Sequence, residues 1–277
     1  MTAADGVALE PWVRALPKAE MHLHFEGAFR WSTIRELHPW GPSLPATPPW
    51  LARRRPFPDF EHFRQVFRNY TLPVTGTPEL IERHAFEVVE DLARQNVRYA
   101  ELIVSHDFHT RRGSSQRAVW GAIAAGRDRA AAQYPIDVRL ILGLARHRAP
   151  DACAAVFDDV VDCALRPGWL AGIDLQGDER AEGHRAFAGV FRRAGDAGLK
   201  LRAHAGELAG ARASARAPWS MACGTSRTAC APSKTGRCSA TWRVMASSST
   251  CARRATSCSS ARRAIATINC GRCSTPA

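Results

Sequence analysis

The chain has no apolar run approaching the roughly 20 residues that a membrane-spanning helix needs, although 45% of its 277 residues are hydrophobic. Residues 1–6 also lack the basic start and the apolar stretch of a secretory signal. These two absences argue against a membrane partner and against export, so we expect a cytoplasmic protein. The length is sufficient for one large domain with a sizeable core.

Acidic residues are absent from the last quarter of the chain. Glu207 is the last carboxylate: residues 1–207 hold all 26 Asp and Glu against 27 Lys and Arg, whereas the 70 residues that follow hold 11 basic side chains. The last histidine is His204 and the last aspartate is Asp196, while seven of the nine cysteines lie beyond Glu207. We therefore divide the chain into a main part, residues 1–207, and a basic tail rich in Cys, Ser and Arg, residues 208–277.

A His-x-His pair lies in the main part, inside the short apolar run Met21–Gly27. Side chains alternate between the two faces of an extended strand, so His22, His24 and Glu26 are expected to share one face. Two imidazoles at this spacing can hold a divalent transition metal, but a short motif also occurs by chance on solvated strands. The pair alone leaves both interpretations open.

Strand-like and helix-like segments alternate after this pair. Strands are predicted at residues 18–26, 97–105, 136–144, 170–175 and 200–204, and helices at 78–96, 114–133, 151–165 and 182–197. Strands that alternate with helices of this length form parallel sheets, in which functional residues collect at the carboxyl ends of the strands. His24, Gly177 and His204 all fall at such ends.

Three stretches of the main part resemble the adenosine deaminase family of metal-dependent amidohydrolases. They are Pro17–Gly27, Gly172–Glu179 with its Asp-Leu-Gln-Gly-Asp-Glu run, and Leu199–Glu207 with its His-Ala-Gly-Glu ending. The resemblance runs from about Pro17 to Glu207 and implies a (β/α)8 barrel of the TIM type. Because about five βα units are recognisable, we expect an incomplete α/β barrel.

The resemblance also implies roles for six residues. His22, His24 and His204 would bind one zinc ion, which activates a water molecule for attack on the amine-bearing carbon of a purine. Glu207 would donate a proton to the adjacent ring nitrogen, and Gly177 would bring the backbone close to the purine. Glu26 stands where many adenosine deaminases have an aspartate that faces the ribose, so the substrate could be adenosine, adenine or a modified purine nucleoside.

Six further histidines lack such a setting, and we expect them on the surface or in the core. His106, directly after the second strand, is the best candidate among the six for a site role; the other five are His62, His84, His109, His147 and His184. For Cys153 and Cys163 we expect packing rather than a disulfide.

The tail, residues 208–277, admits three interpretations. It could be a basic disordered segment that binds nucleic acid or another polyanion, although nucleic acid is not the favoured partner. It could be a cysteine-rich module, but only Cys270 and Cys273 have a zinc-type spacing. The favoured interpretation is a shifted reading frame, because a one-step shift lets residues 227–231 read His-Gly-Val-Arg and residues 245–256 read as a buried strand.

The tail lacks the second catalytic histidine and the metal-binding aspartate that the resemblance implies. We therefore expect the region after about residue 210 to pack poorly. We also expect the chain as written to be insoluble or inactive.

Overall fold

The structure, a computed structural model, describes residues 11–51, 57–110, 113–163, 169–181, 183–205 and 207–208. The predicted tail, residues 208–277, lies outside these residues except for Leu208. The structure therefore does not test the expectation that the tail packs poorly. The described part contains a five-stranded parallel sheet in the order β1-β2-β3-β4-β5. The strands are β1 Lys18–His24, β2 Val97–Ser105, β3 Asp137–Ala145, β4 Leu170–Gln176 and β5 Lys200–Ala203. This confirms the prediction of an α/β fold with the first five strands of a barrel.

Eight α-helices accompany the strands in the described residues. They are α1 Pro11–Ala15, α2 Trp31–Leu37, α3 Phe60–Val66, α4 Pro78–Arg94, α5 His106–Thr110, α6 Gln116–Ala131, α7 Pro150–Asp162 and α8 Ala188–Asp196. Short 3-10 turns occur at Phe25–Gly27, Gly41–Ser43, Leu72–Val74 and His184–Phe187, and a π turn at Phe67–Thr71. No described helix combines the length and apolar character required to cross a lipid bilayer.

Helices α4 and α6 pack closely against each other because of one glycine. The side chains of Thr77 and Ser115 cap the two amino termini by accepting hydrogen bonds from backbone N–H groups of the first turn. A Cβ atom on Gly126 would lie 2.2 Å from the backbone oxygen of Glu82 and 2.8 Å from the Cβ of Ala85. Glycine is therefore required where the two helices come closest.

The two faces of the sheet differ in chemistry. Alternate residues such as Leu102, Leu140 and Ile173 are fully buried and belong to the apolar core. The other face carries His22 and His24 on β1, and charged side chains on the strands that follow: Glu101 on β2, Asp174 on β4, and Lys200 and Arg202 on β5. We call this the inner face, and it holds every predicted ligand that lies within a strand.

The first strand and one helix differ from the sequence prediction. β1 ends at His24, and Phe25–Gly27 form a 3-10 turn, so Glu26 does not continue the strand as predicted. Phe25 and Glu26 are both buried in this turn. The helix predicted at residues 182–197 begins as the 3-10 turn His184–Phe187.

The described residues of the proline-rich stretch, 31–51 and 57–58, form no continuous helix, as predicted. The stretch does hold the short helix α2. The aromatic series after it forms α3 and the π turn, with Phe63 39% exposed. Cys153 and Cys163 are free thiols.

Candidate metal centre

Three histidine rings converge on the inner face, at the carboxyl ends of β1 and β5. The Nε2 atom of His204 lies 3.2 Å from that of His22 and 3.1 Å from that of His24. The ring centroids of His22 and His24 are 5.2 Å apart. One ligand atom from each residue lies within 4.8 Å of the others. His24 closes β1 and His204 directly follows β5, so strands at opposite edges of the sheet bring these rings together.

A buried carboxylate orients the histidine that follows β5. Asp174, on β4, is 1% exposed, and its Oδ1 accepts a hydrogen bond of 2.8 Å from the Nδ1 of His204. Since an ionised carboxylate only accepts, Nδ1 carries the hydrogen and the Nε2 lone pair of a neutral His204 faces the other two rings. The Oδ2 of Asp174 lies 4.0 Å from the Nδ1 of His22.

The pKa values of the three imidazoles differ because their surroundings differ. Burial lowers the pKa of His22 and brings that of His24 to about 4. Burial also acts against a charge on His204, but the Asp174 carboxylate outweighs it and raises the pKa of His204. His22 and His24 are therefore neutral near pH 7, which is the form that binds metal.

The three nitrogens fit a zinc ion. Zinc–nitrogen bonds of about 2.1 Å at tetrahedral angles place ligand nitrogens about 3.4 Å apart. The two separations to His204, 3.2 and 3.1 Å, are close to this value. A ligand histidine whose other ring nitrogen is held by a carboxylate is also the usual arrangement in zinc sites.

Glu26 lies beside this cluster, but its carboxylate is directed towards β2 and α5. It is 3% exposed, and its Oε1 accepts hydrogen bonds from the backbone N–H of Ser105 at 2.8 Å and from the Nε2 of His109 at 2.9 Å. Burial opposes a charge on Glu26, but these two donors outweigh it, so the pKa of Glu26 is lowered. The structure therefore gives Glu26 partners within the protein that its sequence position did not indicate.

Gly177 follows β4 with a φ of +99°, a conformation that side chains rarely adopt. A Cβ atom there would meet nothing closer than the backbone nitrogen of Arg146 at 3.7 Å. Backbone conformation, rather than crowding by the protein, thus accounts for this glycine. Arg146 itself is buried, and its Nη2 donates a hydrogen bond of 2.6 Å to the backbone oxygen of His204.

Glu207 is exposed, three residues beyond His204. Its carboxylate raises the pKa of His204, so the two side chains are near enough to interact. The next residue, Leu208, donates its backbone N–H to the Oε2 of Glu179 at 2.6 Å. The described residues do not enclose the Glu207 side chain in a pocket.

Sequence reasoning missed Asp174 and His109. Asp174 is the only charged residue in the β4 segment Leu170–Gln176, and a charge in the middle of a buried strand is itself a signal of a partner. His109 was placed among the histidines without a site role, although it is fully buried against Glu26. His106 was ranked above His109 as a candidate for a site role, but the structure does not describe its side chain.

Comparison with known proteins agrees with this arrangement. The family model described as Adenosine deaminase matches residues 17–221. Aminodeoxyfutalosine deaminase of Streptomyces avermitilis is 35% identical over 211 residues, which cover 75% of this chain and 58% of that protein. Adenosine deaminase of Erwinia tasmaniensis is 37% identical over 205 residues, which cover 71% of this chain and 60% of that protein.

Two solved structures share the fold. An amidohydrolase from Burkholderia ambifaria with bound Zn has a TM-score of 0.62 and 29% identity, covering 74% of this chain and 57% of its own. N6-methyl-AMP deaminase from Arabidopsis thaliana has a TM-score of 0.58 and 26% identity, and the match covers 71% of this chain and 60% of that one. The chain thus spans 58% and 60% of the length of the two curated relatives. Because the family match takes in well over half of the chain and all three converging histidines, the chain belongs to the adenosine deaminase family.

Proposed function

We propose that this protein, when its barrel is complete, is a zinc-dependent hydrolase that removes the 6-amino group of a purine nucleoside as ammonia. The observation that carries the proposal is the convergence of His22, His24 and His204 on one point. Zinc bound by these three residues supplies a Lewis acid and an activated water molecule. The Burkholderia ambifaria neighbour, solved with Zn, supports this choice of metal.

The residues around the metal position each have a proposed task. Asp174 holds the proton on the Nδ1 of His204, so that Nε2 remains free to bind metal. Glu207 donates a proton to the purine nitrogen next to the amine-bearing carbon, which makes that carbon a better electrophile. Gly177 offers a backbone without a side chain on the substrate side. Glu26, whose Oε1 is held by His109 and Ser105, presents its other carboxylate oxygen to the sugar or to the group that replaces the sugar.

The substrate class is a purine with nitrogen at carbon 6, and we propose adenosine first. Modified nucleosides are the alternative, because aminodeoxyfutalosine deaminase is as similar to this chain as adenosine deaminase is. A longer carboxylate at position 26 than the usual aspartate also favours a substrate that differs from adenosine. Free adenine is the third compound to be compared.

We further propose that residues 208–277 come from a shifted reading frame and that residues 1–207 are the amino-terminal part of the barrel. The sequence has no histidine after His204 and no aspartate after Asp196, so this chain cannot supply the remaining catalytic residues. The coding DNA tests this directly. If the third base of each codon, read with the first two bases of the next codon, does not encode the alternative residues, the proposal is wrong.

The activity experiment compares the chain as written with a frame-restored chain. Ammonia release from adenosine, adenine and modified 6-amino nucleosides is followed, and bound zinc is quantified in both proteins. We expect turnover only in the restored chain, with a loss of several powers of ten on Glu207→Gln and no loss of zinc. Glu207-dependent turnover by the chain as written would show that tail residues complete the site.

A further inference from the structure

A second polar cluster lies on the inner face, deeper in the sheet than the histidines. Its centre is Glu101 on β2, which is fully buried. The Glu101 carboxylate accepts hydrogen bonds from the Oη of Tyr99 at 2.6 Å, from the Nζ of Lys200 at 2.7 Å and from the Nη2 of Arg202. β2 and β5 are separated by two strands, so these contacts cross the inner face instead of following the hydrogen-bond ladder.

Arg202 makes a second contact, with the opposite edge of the sheet. Its Nη1 donates to the backbone oxygen of Met21, on β1, at 2.6 Å. β1 and β5 are the first and last strands in the order, and no backbone ladder joins them in the described part of the chain. One guanidinium therefore links three strands, because its planar fork offers several donors in fixed directions.

The contact with Met21 falls where β1 is irregular. The pairing of β1 with β2 shifts register between Glu20 and Leu23, which is the stretch that contains His22. Side chains replace the ladder there: the Glu20 carboxylate accepts from the backbone N–H of His22 at 3.0 Å, and Arg202 donates to the oxygen of Met21. The backbone that carries His22 is thus held in part by Arg202.

We propose that Arg202 is a positioning residue that sets the separation between β1 and β5, and so brings His204 within reach of His22 and His24. Arg202 precedes His204 by two residues, and Met21 adjoins His22, so both ends of the link are next to a ligand. This inference rests on the metal site proposed above. An ion pair whose carboxylate is fully buried is a costly means of stabilising a sheet, because apolar side chains of similar volume commonly do as well or better.

The test is cobalt(II) binding by the full chain, measured from visible absorption. Cobalt(II) held by three histidines in a near-tetrahedral site absorbs much more strongly than a six-coordinate ion, so the spectrum reports ligand geometry without turnover. The variant Arg202→Lys keeps a positive charge near Glu101 but cannot reach Glu101 and Met21 together. The matched control is Arg192→Lys, at an exposed arginine of α8. His204→Ala identifies any absorption that comes from cysteines, and that part is subtracted.

We expect Arg202→Lys to weaken His204-dependent cobalt binding by about tenfold or more and to reduce the absorption per bound ion, with an unchanged far-ultraviolet circular dichroism spectrum. Arg192→Lys should match the parent chain. A second variant, Glu101→Gln with Arg202→Met, removes the buried carboxylate and its arginine together, so that no buried carboxylate loses its partner. It should bind cobalt as weakly as Arg202→Lys.

Parent-like cobalt affinity and absorption in both Arg202 variants would overturn the inference. A parent chain without His204-dependent absorption would overturn the metal site and this inference together. If the parent binds cobalt through His204 but the frame-restored protein releases no ammonia, only the proposed activity fails. The role of Arg202 is then still decided by its variants.

Discussion

At the scale of single residues, the histidines were predictable and their supporting residues were not. Strand alternation places His22 and His24 on one face and His204 ends a recognisable strand, but the grouping of all three as ligands came from the resemblance to the adenosine deaminase family. Asp174 lies 30 residues from the histidine that it orients, and His109 lies 83 residues from Glu26. Such pairs depend on the register between strands, which a single sequence does not specify.

The first residue-scale prediction concerns Asp174. Replacing it with Asn keeps the shape and an acceptor oxygen, but it removes the charge that holds the Nδ1 proton of His204. We expect zinc affinity to fall about 10- to 100-fold in competition with a chelator. Asp137→Asn, at an exposed carboxylate that pairs with Arg139 on β3, should leave the affinity unchanged. Equal affinities in the two variants would mean that Asp174 does not support the metal.

The second concerns pH and His84, which is fully buried, stacks on Phe29 at 3.9 Å and contacts the backbone oxygen of Val74. Burial lowers the pKa of His84 to about 4, below the 6.5 of an exposed histidine. The unfolded chain therefore binds the proton more readily, and the free energy of unfolding falls as pH drops from 6.5 towards 4. The expected loss from this residue is roughly 2 kcal/mol between pH 7 and pH 5.

Urea unfolding of the parent and of His84→Phe at pH 7 and pH 5 measures this contribution. The variant should be less stable at pH 7, because the contact with Val74 is lost, but its stability should depend less steeply on pH. Identical pH slopes in the two proteins would show that His84 is not the acid-sensitive group.

At the scale of helices and strands, the prediction was most accurate where apolar periodicity is strong. β2 was predicted at its observed bounds, Val97–Ser105, and α4 to within two residues. The prediction was wrong for the end of β1, because the burial of Glu26 depends on His109 and Ser105, and neither is close in sequence. The proline-rich stretch was correctly excluded from forming one helix, but proline spacing did not reveal α2.

The contact between α4 and α6 supplies the prediction at this scale. Gly126→Ala places a methyl group against the backbone of Glu82, so we expect a loss of about 1 to 3 kcal/mol in the free energy of unfolding. Gly121→Ala is the matched control, since nothing lies within 4 Å of its Cβ position on the same helix. It should stabilise the protein by about 0.5 to 1 kcal/mol. In thermal unfolding, we expect Gly126→Ala to lower the stability and Gly121→Ala to raise it.

At the scale of the whole molecule, the metal position joins the two edges of the described sheet. His22 and His24 belong to β1, and His204 follows β5, so a zinc ion held by these three residues would bind the folded arrangement in preference to the unfolded chain. We expect zinc at 100 times its dissociation constant to raise the free energy of unfolding by about 2.7 kcal/mol. A chelator should reverse the gain, and His204→Ala should show none of it. A gain of equal size in His204→Ala would place the stabilising metal elsewhere.

The separation of the ligands along the chain also has a consequence for the order of events during synthesis. His24 and His204 are 180 residues apart, and a ribosome adding about 5 to 20 residues per second needs roughly ten seconds or more to cover that distance. During that interval the nascent chain offers only two of the three proposed ligands, the imidazoles of β1. Metal capture at the proposed site would therefore follow the docking of β5, and it would report that the first five strands have assembled in the correct register.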